Sequence, residues 1–480
     1  MSSLSSLFND VVIVGGGLSG SLLAAQLLRQ ADAPLRVALI ERAAVAGRGV
    51  AYGTEESAHL LNVPAGKVSA LPDDPDHFFR WVEARLGRTG FPRTVTRGDF
   101  LPRQLYGEYV YTILKEARES ARPDVRLDVV VGEAIDIEET TAGAKVRLAD
   151  ERCIETARVV LALGNLPGEY PIRRSLRFYH GPRYVHIPWK TDALERIRPN
   201  DDILIVGAGL TAIDIILQLE GMGHRGKIHA LSRRGLKPQA HAVAGEVYPP
   251  FLRPEALPKT VSGALHAVRD EIRRAGKQGK DWRAVLDSIR PVTNAIWAEF
   301  SWEQRARFMR HLRPYWEIHR HRLAPQVAAK IEALCAAGRV EFYAGRLESL
   351  VETTDGAEAV FRKRGGEERV TLKVGKVINC TGPRSDYSKY QHPLLINLLA
   401  RGLIDHDPLA LGLHANAAGE VFRYRGGPVG WLFTLGAPLK GVLWESTAVP
   451  EIRSQARALA EKLISLKTHD QAEPIPAIGR

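Results

Sequence analysis

Two glycine-rich turns of one type constrain the fold of this chain more than any other feature. The first lies in VVIVGGGLSG, residues 11–20, and the second in ILIVGAGLTA, residues 203–212. Each turn follows a short β-branched apolar run and precedes an apolar helical stretch, which is the order of a βα unit in a buried parallel sheet. This context distinguishes a dinucleotide-binding fingerprint from a chance run of glycines. The chain is therefore predicted to contain two dinucleotide sites.

In the first fingerprint each glycine has its own steric task. Gly15 permits the tight turn, Gly17 lets a pyrophosphate approach the backbone, and Gly20 allows close packing of helix on strand. The pyrophosphate would lie on the unpaired N–H groups at the helix start. The next strand ends at Glu41, about 20 residues beyond the fingerprint, where a carboxylate accepts hydrogen bonds from a ribose diol. The residues predicted to bind this dinucleotide are Gly15, Gly17, Leu18, Ser19, Gly20, Glu41 and Arg42.

The second fingerprint differs from the first in two places that bear on cofactor choice. Ala212 replaces the third glycine, which the fingerprint tolerates. The following strand ends in Ser232, Arg233 and Arg234 instead of an acid. Guanidinium groups there suit a 2′-phosphate and predict an NADP(H) site; the alternative is two exposed arginines in a turn of a basic protein. The predicted contacts are Gly207, Gly209, Leu210, Thr211, Ala212, Ser232, Arg233 and Arg234.

Length and cysteine content limit the possible classes of protein. A chain of 480 residues is long enough for two or three domains with substantial cores. Its three cysteines, Cys153, Cys335 and Cys380, are widely spaced and form no CxxC pair. This argues against a disulfide scaffold, a thiol redox centre and a cysteine zinc site, and no metal is expected. The N-terminus lacks a secretion signal and no apolar run reaches membrane-spanning length, so a cytoplasmic protein without a membrane partner is expected.

A basic, aromatic segment stands out in a chain whose formal net charge is +11. The spacing is helical, and the aromatic side chains predict one apolar face. We favour an amphipathic helical insertion at residues 249–325 with a solvated basic side; the alternative is that one or two cations hold an anion at the active site. No nucleic-acid-binding signature accompanies the segment, so nucleic acid is not an expected partner. The residues are Arg305, Arg307, Arg310, His311, Arg313, His319, Arg320, His321 and Arg322, with Trp297, Trp302, Phe308, Tyr315 and Trp316.

An internal repeat extends the two fingerprints into two whole domains. The tripeptide ETT occurs at residues 139–141 and again at 352–354, and a glycine, Gly143 or Gly356, follows in a predicted hairpin. Each copy leads into an apolar stretch that ends in a glycine turn, LALG at residues 161–164 and NCTG at 379–382. Because all these features recur in the same order, duplication is indicated. The predicted fold class is α/β, with two Rossmann-like dinucleotide-binding domains, each with a β-meander, plus the helical insertion.

This duplicated order resembles the two-dinucleotide-binding flavoprotein superfamily, which has a glutathione-reductase-like fold and includes flavin monooxygenases and N-hydroxylases. LALG and NCTG resemble its two ATG segments, which implies that Gly164 and Gly382 lie close to the two dinucleotides. The resemblance implies FAD at the first fingerprint and NADPH, or NADH, at the second. It also implies a discontinuous FAD-binding domain, residues 1–198 and 383–480, and an NAD(P)-binding domain, residues 199–382.

A narrower resemblance lies in residues 46–82, which begin AGRGVAYGTEESAHLLNVPAGKV, and in TRGDFLPRQLYGEYV, residues 96–110. Both segments are similar to the bacterial FAD-NAD(P)-binding family whose fold is named after a FAD-dependent urate hydroxylase. Arg48, in the loop after the Glu41 strand, is a candidate donor to the FAD pyrophosphate. An ordinary loop arginine is the alternative.

Three residues are candidates for catalytic roles near the flavin. Asn62 lies in the loop LLNVPAG, where its amide would hydrogen-bond the flavin edge or an oxygen species; a loop-stabilising role is the alternative. Arg103 would anchor FAD or substrate, or form a structural salt bridge. His241 would approach the nicotinamide and flavin if its loop folds inward, and would otherwise face solvent.

Two further segments depart from the patterns that they first suggest. The run DDPDH, residues 73–77, is interpreted as a helix start with Asp76 near the cap, and not as a metal site. Near the C-terminus Gly436 precedes Ala437, where disulfide reductases of the superfamily usually have Gly-Asp. Backbone N–H groups near Gly436 and Gly441, at the start of a helix predicted over residues 445–463, are expected to bind the flavin pyrimidine edge instead.

The lack of a cysteine pair in the sequence guides the predicted reaction. Electrons from a reduced nicotinamide would pass to the flavin, and without a redox disulfide the simplest acceptor is molecular oxygen. We therefore predict a FAD-dependent NAD(P)H monooxygenase that hydroxylates a small polar or anionic substrate, with urate as the example that the resemblance suggests. The alternatives are N-hydroxylation of an amine or amino acid, an NAD(P)H reductase that serves a partner protein, and a nucleotide sensor without turnover. The oligomeric state is left open.

Overall fold

The computed structural model describes residues 8–88, 94–190, 192–242 and 246–472. The chain divides into two compact units. Unit 1 comprises Met1–Gly53, Pro64–Leu166 and Ser385–Arg480, and unit 2 comprises Thr54–Val63 and Pro167–Arg384. The expectation of a cytoplasmic protein depends partly on the N-terminal segment. Its first seven residues lie outside the described residues.

Strands and helices alternate through much of both units. The strands are β1 (Asn9–Val14), β2 (Leu35–Glu41), β3 (Val125–Val131), β4 (Ala134–Thr140), β5 (Gly143–Leu148), β6 (Cys153–Leu161), β7 (Tyr184–Val185), β8 (Ile203–Val206), β9 (Ile228–Ser232), β10 (Val340–Glu352), β11 (Ala357–Lys363), β12 (Arg369–Val374), β13 (Lys376–Asn379), β14 (Glu420–Phe422) and β15 (Pro428–Thr434). The helices are α1 (Leu18–Gln30), α2 (Gly49–Tyr52), α3 (His77–Arg88), α4 (Arg103–Glu119), α5 (Leu176–Tyr179), α6 (Leu210–Gly221), α7 (Val261–Lys277), α8 (Trp282–Ser288), α9 (Thr293–Glu299), α10 (Trp302–Arg307), α11 (Arg313–Arg320), α12 (Pro325–Ala336), α13 (Pro393–Ala400) and α14 (Val449–Ala472).

Within the described residues, unit 1 is built on an eight-stranded sheet in the order β14-β15-β6-β1-β2-β3, and the hairpin β4–β5 joins through β5 to β6. The central strand β1 pairs in parallel with β2 and with β6. Val12 and Ile13 of β1 are fully buried. A strand that is covered on both faces reads as a continuous apolar run, which explains the sequence pattern before the first glycine turn.

Unit 2 repeats the same plan on the sheet β12-β11-β10-β9-β8-β13-β7. Strands β7 to β10 and β13 pair in parallel, whereas β10, β11 and β12 form an antiparallel meander. The predicted hairpins join β4 to β5 at Gly143 and β10 to β11 near Gly356. The predicted fold class, two Rossmann-like domains that each carry a β-meander, is confirmed.

The predicted helical insertion lies between β9 and α12 and contains α7 to α11. A π-helical turn, Phe308–Leu312, separates α10 from α11. Trp297 and Phe308 are buried with their ring centroids 5.8 Å apart, so part of the expected apolar face forms a small core. Trp302 and Tyr315, which were expected on the same face, are exposed at 55% and 40%. The broken helical path turns them away from that core.

The two compact units divide at residues 166 and 167, whereas the sequence predicted a domain boundary at residues 198 and 199. Pro167 onward belongs to unit 2, because β7 pairs with β13 at the edge of the unit 2 sheet. The segment Thr54–Val63 also belongs to unit 2, since buried His59 donates from Nε2 to the carbonyl of Asp214 in α6 at 3.1 Å. A two-residue strand and one histidine contact leave no periodic pattern that sequence reasoning can detect.

The DDPDH run forms a helix start, as the sequence interpretation expected. The helix α3 begins at His77, and Arg80 donates a hydrogen bond from its backbone N–H to the carbonyl of Asp76. His77 contacts the Tyr109 hydroxyl at 2.9 Å. Among the described residues, no group of three or more His, Cys, Asp or Glu side chains is arranged to hold a metal ion. None of the helices in the same ranges is both long and apolar enough to cross a membrane.

Two buried histidines of unit 2 predict that acid destabilises the protein. Burial lowers the pKa of His224 and of His229 below the ordinary value of 6.5. Because the unfolded chain binds these protons more tightly, their contribution to the free energy of unfolding is complete above pH 6.5 and decreases as the pH falls below it. Urea unfolding between about pH 7.5 and 5.5 should therefore show falling stability.

The matched variants are His224→Gln and His266→Gln. His224 Nε2 donates to the Asp201 carbonyl at 2.8 Å, a bond that a glutamine amide can reproduce without titrating. His266 is exposed on α7. The pH dependence should become shallower in His224→Gln and stay unchanged in His266→Gln. The same slope in both variants and the unmodified protein would contradict the assignment.

Candidate functional site

The first glycine turn connects β1 to α1 and has little room for any side chain. Gly15 has φ of +108°, and a Cβ there would lie 2.4 Å from the carbonyl oxygen of Ala162. A Cβ on Gly20 would lie 1.9 Å from the carbonyl oxygen of Gly15. Both positions therefore require glycine, because neither backbone oxygen can move without disrupting the sheet or the helix.

Glu41 lies beside this turn at the end of β2. Its Oε2 accepts a hydrogen bond from the N–H of Gly16 at 2.8 Å, and its Oε1 accepts one from Ala43 at 3.1 Å. The residue before the helix is Gly17, which has no side chain that could cap the first N–H groups of α1. The first N–H groups of α1 can therefore bind an anion, while the Glu41 carboxylate stands where a ribose would be recognised.

The loop after β2 returns to the turn and brings Arg48 with it. Gly47 donates its N–H to the carbonyl of Gly16 at 2.7 Å. A Cβ on Gly49 would lie 3.1 Å from the Cα of Gly17, so the loop passes closely over the fingerprint. Arg48 is half-buried directly before α2. This position suits a guanidinium donor to a pyrophosphate.

Arg42 and Arg103 have different surroundings. The Arg42 side chain is 68% exposed, and its Nη1 lies 3.5 Å from Glu133 Oε1. Arg42 therefore forms an ion pair with Glu133 at the surface. Arg103 begins α4 near Tyr52. Burial raises the pKa of Tyr52 to about 12, and the charge of Arg103 opposes that rise. Arg103 thus stays close to the loop that carries Arg48.

Gly164 and Gly436 complete the surroundings of the first turn. Gly164, after β6, has φ of +62°, and a Cβ there would meet no described atom within 4 Å. Gly436 has φ of +76°, and a Cβ there would lie 2.6 Å from the Ser19 hydroxyl in α1. Its N–H donates to Gln455 Oε1 at 2.8 Å, and the flavin contact predicted for this amide stays a prediction.

The C-terminal helix also differs from the sequence expectation. It begins at Val449 and not at residue 445, because the preceding segment is a turn that packs into the unit 1 core at Leu439 and Trp444. A Cβ on Gly441 would lie 2.3 Å from Cγ of buried Asp407. The packing at Gly441 therefore requires a residue without a side chain, and the flavin contact expected near it stays a prediction.

The second glycine turn, in unit 2, has the same geometry with one relaxed contact. Gly207 has φ of +130°, and a Cβ there would lie 2.0 Å from the carbonyl oxygen of Cys380. Gly209 precedes α6, and a Cβ there would meet no described atom within 4 Å. Ala212 is fully buried, so the packing accepts its methyl group where the first copy has Gly20. Leu210 and Thr211 form the first turn of α6.

The two arginines expected at a 2′-phosphate follow the end of β9 and have different surroundings. Ser232 Oγ accepts the N–H of Gly235 at 2.9 Å and closes the turn. The Arg233 side chain is exposed. Arg234 donates from Nη2 to the carbonyl oxygen of Arg310 at 3.1 Å. One guanidinium is thus open to a ligand, while the other contacts the helical insertion.

Two candidate catalytic residues, distant in sequence, meet in unit 2. His241 donates from Nε2 to the backbone carbonyl of Asn62 at 2.9 Å. The backbone N–H of His241 donates to the carbonyl of Leu323, so both the side chain and the backbone of His241 help to hold its loop. His241 and Asn62 are both half-buried. This contact, across 179 positions, left no signal in the sequence.

The turn after β13 contains the predicted Gly382 and several polar residues that the sequence did not identify as neighbours. Gly382 has φ of +88° with no described atom within 4 Å of a Cβ. Asn379 donates from Nδ2 to the Glu169 carbonyl at 3.1 Å, and its Oδ1 accepts from the Thr381 hydroxyl at 2.8 Å. Burial, and then the charges of Arg384 and Lys190, lower the pKa of nearby His186. The NCTG resemblance identified this segment but not these partners.

Comparison with known proteins agrees with this architecture. Residues 12–166 match the sequence model of the FAD-NAD(P)-binding family. The Escherichia coli (strain K12) protein YdhS is 25% identical over 326 residues, which are 62% of this chain and 56% of YdhS. The chain thus spans little more than half the length of this relative.

Two solved structures share the fold along nearly the whole chain. An ornithine hydroxylase from Pseudomonas aeruginosa has a TM-score of 0.64 at 17% identity, covering 96% of this chain and 99% of that one. An ornithine N-hydroxylase from Kutzneria sp. 744 has a TM-score of 0.65 at 15% identity, covering 96% of this chain and 100% of that one. The protein therefore has the two-dinucleotide-binding flavoprotein fold, as the sequence predicted. The predicted cofactors, FAD and a nicotinamide dinucleotide, agree with the description of the matching family.

The two glycines of the second turn make a matched pair for a test. Gly207→Ala should lower the melting temperature, because the methyl group meets the Cys380 carbonyl and the positive φ adds about 1–3 kcal/mol of strain. Gly209→Ala has open space and should keep the melting temperature. Its methyl should instead weaken NADP⁺ binding by obstructing the helix start. Equal melting temperatures for both variants would contradict this geometry.

Proposed function

We propose that this protein is a FAD-dependent NAD(P)H monooxygenase that hydroxylates a small polar substrate. The observation that carries the proposal is the pair of glycine turns with different polar groups beside them. Glu41 accepts a hydrogen bond at the first turn, and Arg233 is exposed near the second. An acid at this position favours a ribose diol, and a guanidinium favours a 2′-phosphate. FAD is assigned to the first turn and NADP(H) to the second.

The residues of the chain bind and orient the two cofactors. When bound, FAD and NADPH supply the electron transfer and oxygen activation that no side chain provides. The N–H groups at the start of α1 would hold the pyrophosphate of FAD, with Arg48 as a charge-assisted donor. The N–H groups at the start of α6 would hold the pyrophosphate of NADP(H). Asn62 and His241 stay candidate polar contacts of the reacting groups.

The state of the cysteines favours oxygen over a protein disulfide as the electron acceptor. All three cysteines are free, and Cys380 is buried. Burial raises the pKa of the Cys380 thiol well above its usual range, and burial also raises the pKa of Cys335. A raised pKa disfavours the thiolate form that disulfide exchange requires. This supports the monooxygenase over a thiol-dependent reductase.

Nitrogen is the preferred position of hydroxylation in this proposal. The solved structures with the same fold along the chain include an ornithine hydroxylase and an ornithine N-hydroxylase, whereas urate has support only from the narrower sequence resemblance. An amine or amino acid is therefore favoured as substrate over a urate-like ring. At 15% and 17% identity, these structures support the choice through the fold alone.

The test uses purified, FAD-loaded protein. Anaerobic mixing with NADPH should bleach the flavin absorbance, and NADH should do so at a higher concentration. With oxygen and a panel of diamines, basic amino acids and purines, one amine should accelerate NADPH consumption and yield an equivalent amount of hydroxylamine. Equivalent formation of a ring-hydroxylated purine would overturn N-hydroxylation but keep the monooxygenase. Uncoupled peroxide formation with every compound would contradict both.

A further inference from the structure

The helical insertion touches the turn that is assigned to the 2′-phosphate. Arg234, two positions beyond the end of β9, donates from Nη2 to the carbonyl oxygen of Arg310 at 3.1 Å. Arg310 lies in the π-helical turn between α10 and α11. Such turns occur frequently at functional sites, because they redirect the side chains of an otherwise regular helix.

Hydrogen bonds to backbone carbonyls fix the insertion against the loop that follows β9. The backbone N–H of Gln239 donates to the carbonyl of Ile318, and the carbonyl of Gln239 accepts a hydrogen bond from the N–H of Leu323, both at 2.8 Å. Arg283 donates from Nε to the carbonyl of Ala240 at 2.7 Å. The position of the π-helical turn beside the end of β9 therefore does not depend on the Arg234 contact alone.

Arg233 and Arg234 follow β9, and Arg310 lies in the π-helical turn whose backbone Arg234 contacts. Arg233 and Arg310 are exposed. In the described ranges, no carboxylate lies within ion-pair distance of Arg233, Arg234 or Arg310, whereas the neighbouring Arg313 pairs with Glu317 at 2.7 Å. A dianion bound at these two turns would be attracted by arginine charges that no carboxylate of the described residues neutralises. Guanidinium groups match the oxygen geometry of a phosphate monoester.

We propose that Arg310 of the helical insertion joins Arg233 in a phosphate-monoester site that distinguishes NADP(H) from NAD(H). The inference rests on the proposed function, since it assigns the 2′-phosphate of the cofactor as the ligand. Arg310 and Arg233 are the specificity-determining residues. Arg234 is a positioning residue, because its guanidinium holds the backbone of Arg310. The basic insertion thereby contributes to dinucleotide selection and does not merely carry solvated charge.

Calorimetric titration of the full, FAD-loaded chain tests this site without relying on turnover. The ligands are NADP⁺, NAD⁺, adenosine 2′,5′-bisphosphate and inorganic phosphate. The variants are Arg310→Ala and Arg307→Ala; the second removes another exposed arginine at the end of α10. Arg310→Ala should raise the Kd of NADP⁺ and of the bisphosphate about tenfold or more and leave that of NAD⁺ unchanged, since one charge-assisted contact is lost. Arg307→Ala should change none of them.

The outcomes separate this inference from the proposed function. If the unmodified protein does not prefer NADP⁺ over NAD⁺, the assignment of the second turn to NADP(H) fails. If that preference is present and Arg310→Ala keeps it, the proposed function stands and the role of Arg310 is refuted. Equal loss of NADP⁺ and NAD⁺ binding also refutes it. Inorganic phosphate that binds as tightly as the bisphosphate would identify a free-phosphate site instead.

The variant Arg310→Lys distinguishes a contact with the phosphate from an effect of Arg310 on folding. The lysine keeps one positive charge but loses the planar guanidinium. It should retain part of the NADP⁺ preference, with a weakened Kd that depends more steeply on salt. A loss as complete as in Arg310→Ala, together with a lowered melting temperature, would show that Arg310 acts through folding and not through the phosphate.

Discussion

In both units a glycine turn lies against the carbonyl that follows a neighbouring strand, and the proposed nucleotide sites depend on this contact. Gly15 faces Ala162 after β6, and Gly207 faces Cys380 after β13. Positive φ angles let each turn make this approach with no Cβ in the way. The approach sets the start of the following helix at the carboxyl ends of two parallel strands, where open α/β sheets bind ligands.

With the same backbone in both copies, the residue at the end of the next strand determines how the sites differ. Glu41 is tied to its turn by the N–H of Gly16, whereas Ser232 closes its own turn and leaves Arg233 exposed. Gly20 has no room for a methyl group, but Ala212 is buried without a clash. The first site therefore has the tighter helix contact, and the second has the basic surroundings.

The features that sequence reasoning predicted well are local ones. A β-branched run before glycines specifies strand, turn and helix within about 20 residues, because hydrophobic period and backbone freedom act over short distances. The hairpins at Gly143 and Gly356 were recognisable for the same reason. Repetition then extended these local patterns to two domains.

The features that sequence reasoning missed depend on contacts between distant residues. The strand β7 has two residues, so it has no period to read, yet it moves the domain boundary. His59 and His241 are held by backbone carbonyls 155 and 179 positions away. Gly436 has its N–H occupied by Gln455, which only the packing of α14 reveals. A side chain that forms a hydrogen bond with a backbone carbonyl leaves no pattern in the sequence, because every residue has such a carbonyl.

We propose that one chain carries two dinucleotide sites of different chemistry. Native mass spectrometry of the full chain with FAD and NADP⁺ tests whether both sites can be occupied at once. We expect one FAD and one NADP⁺ bound together on each chain, with neither dinucleotide displacing the other. A single bound dinucleotide for which FAD and NADP⁺ compete would contradict it.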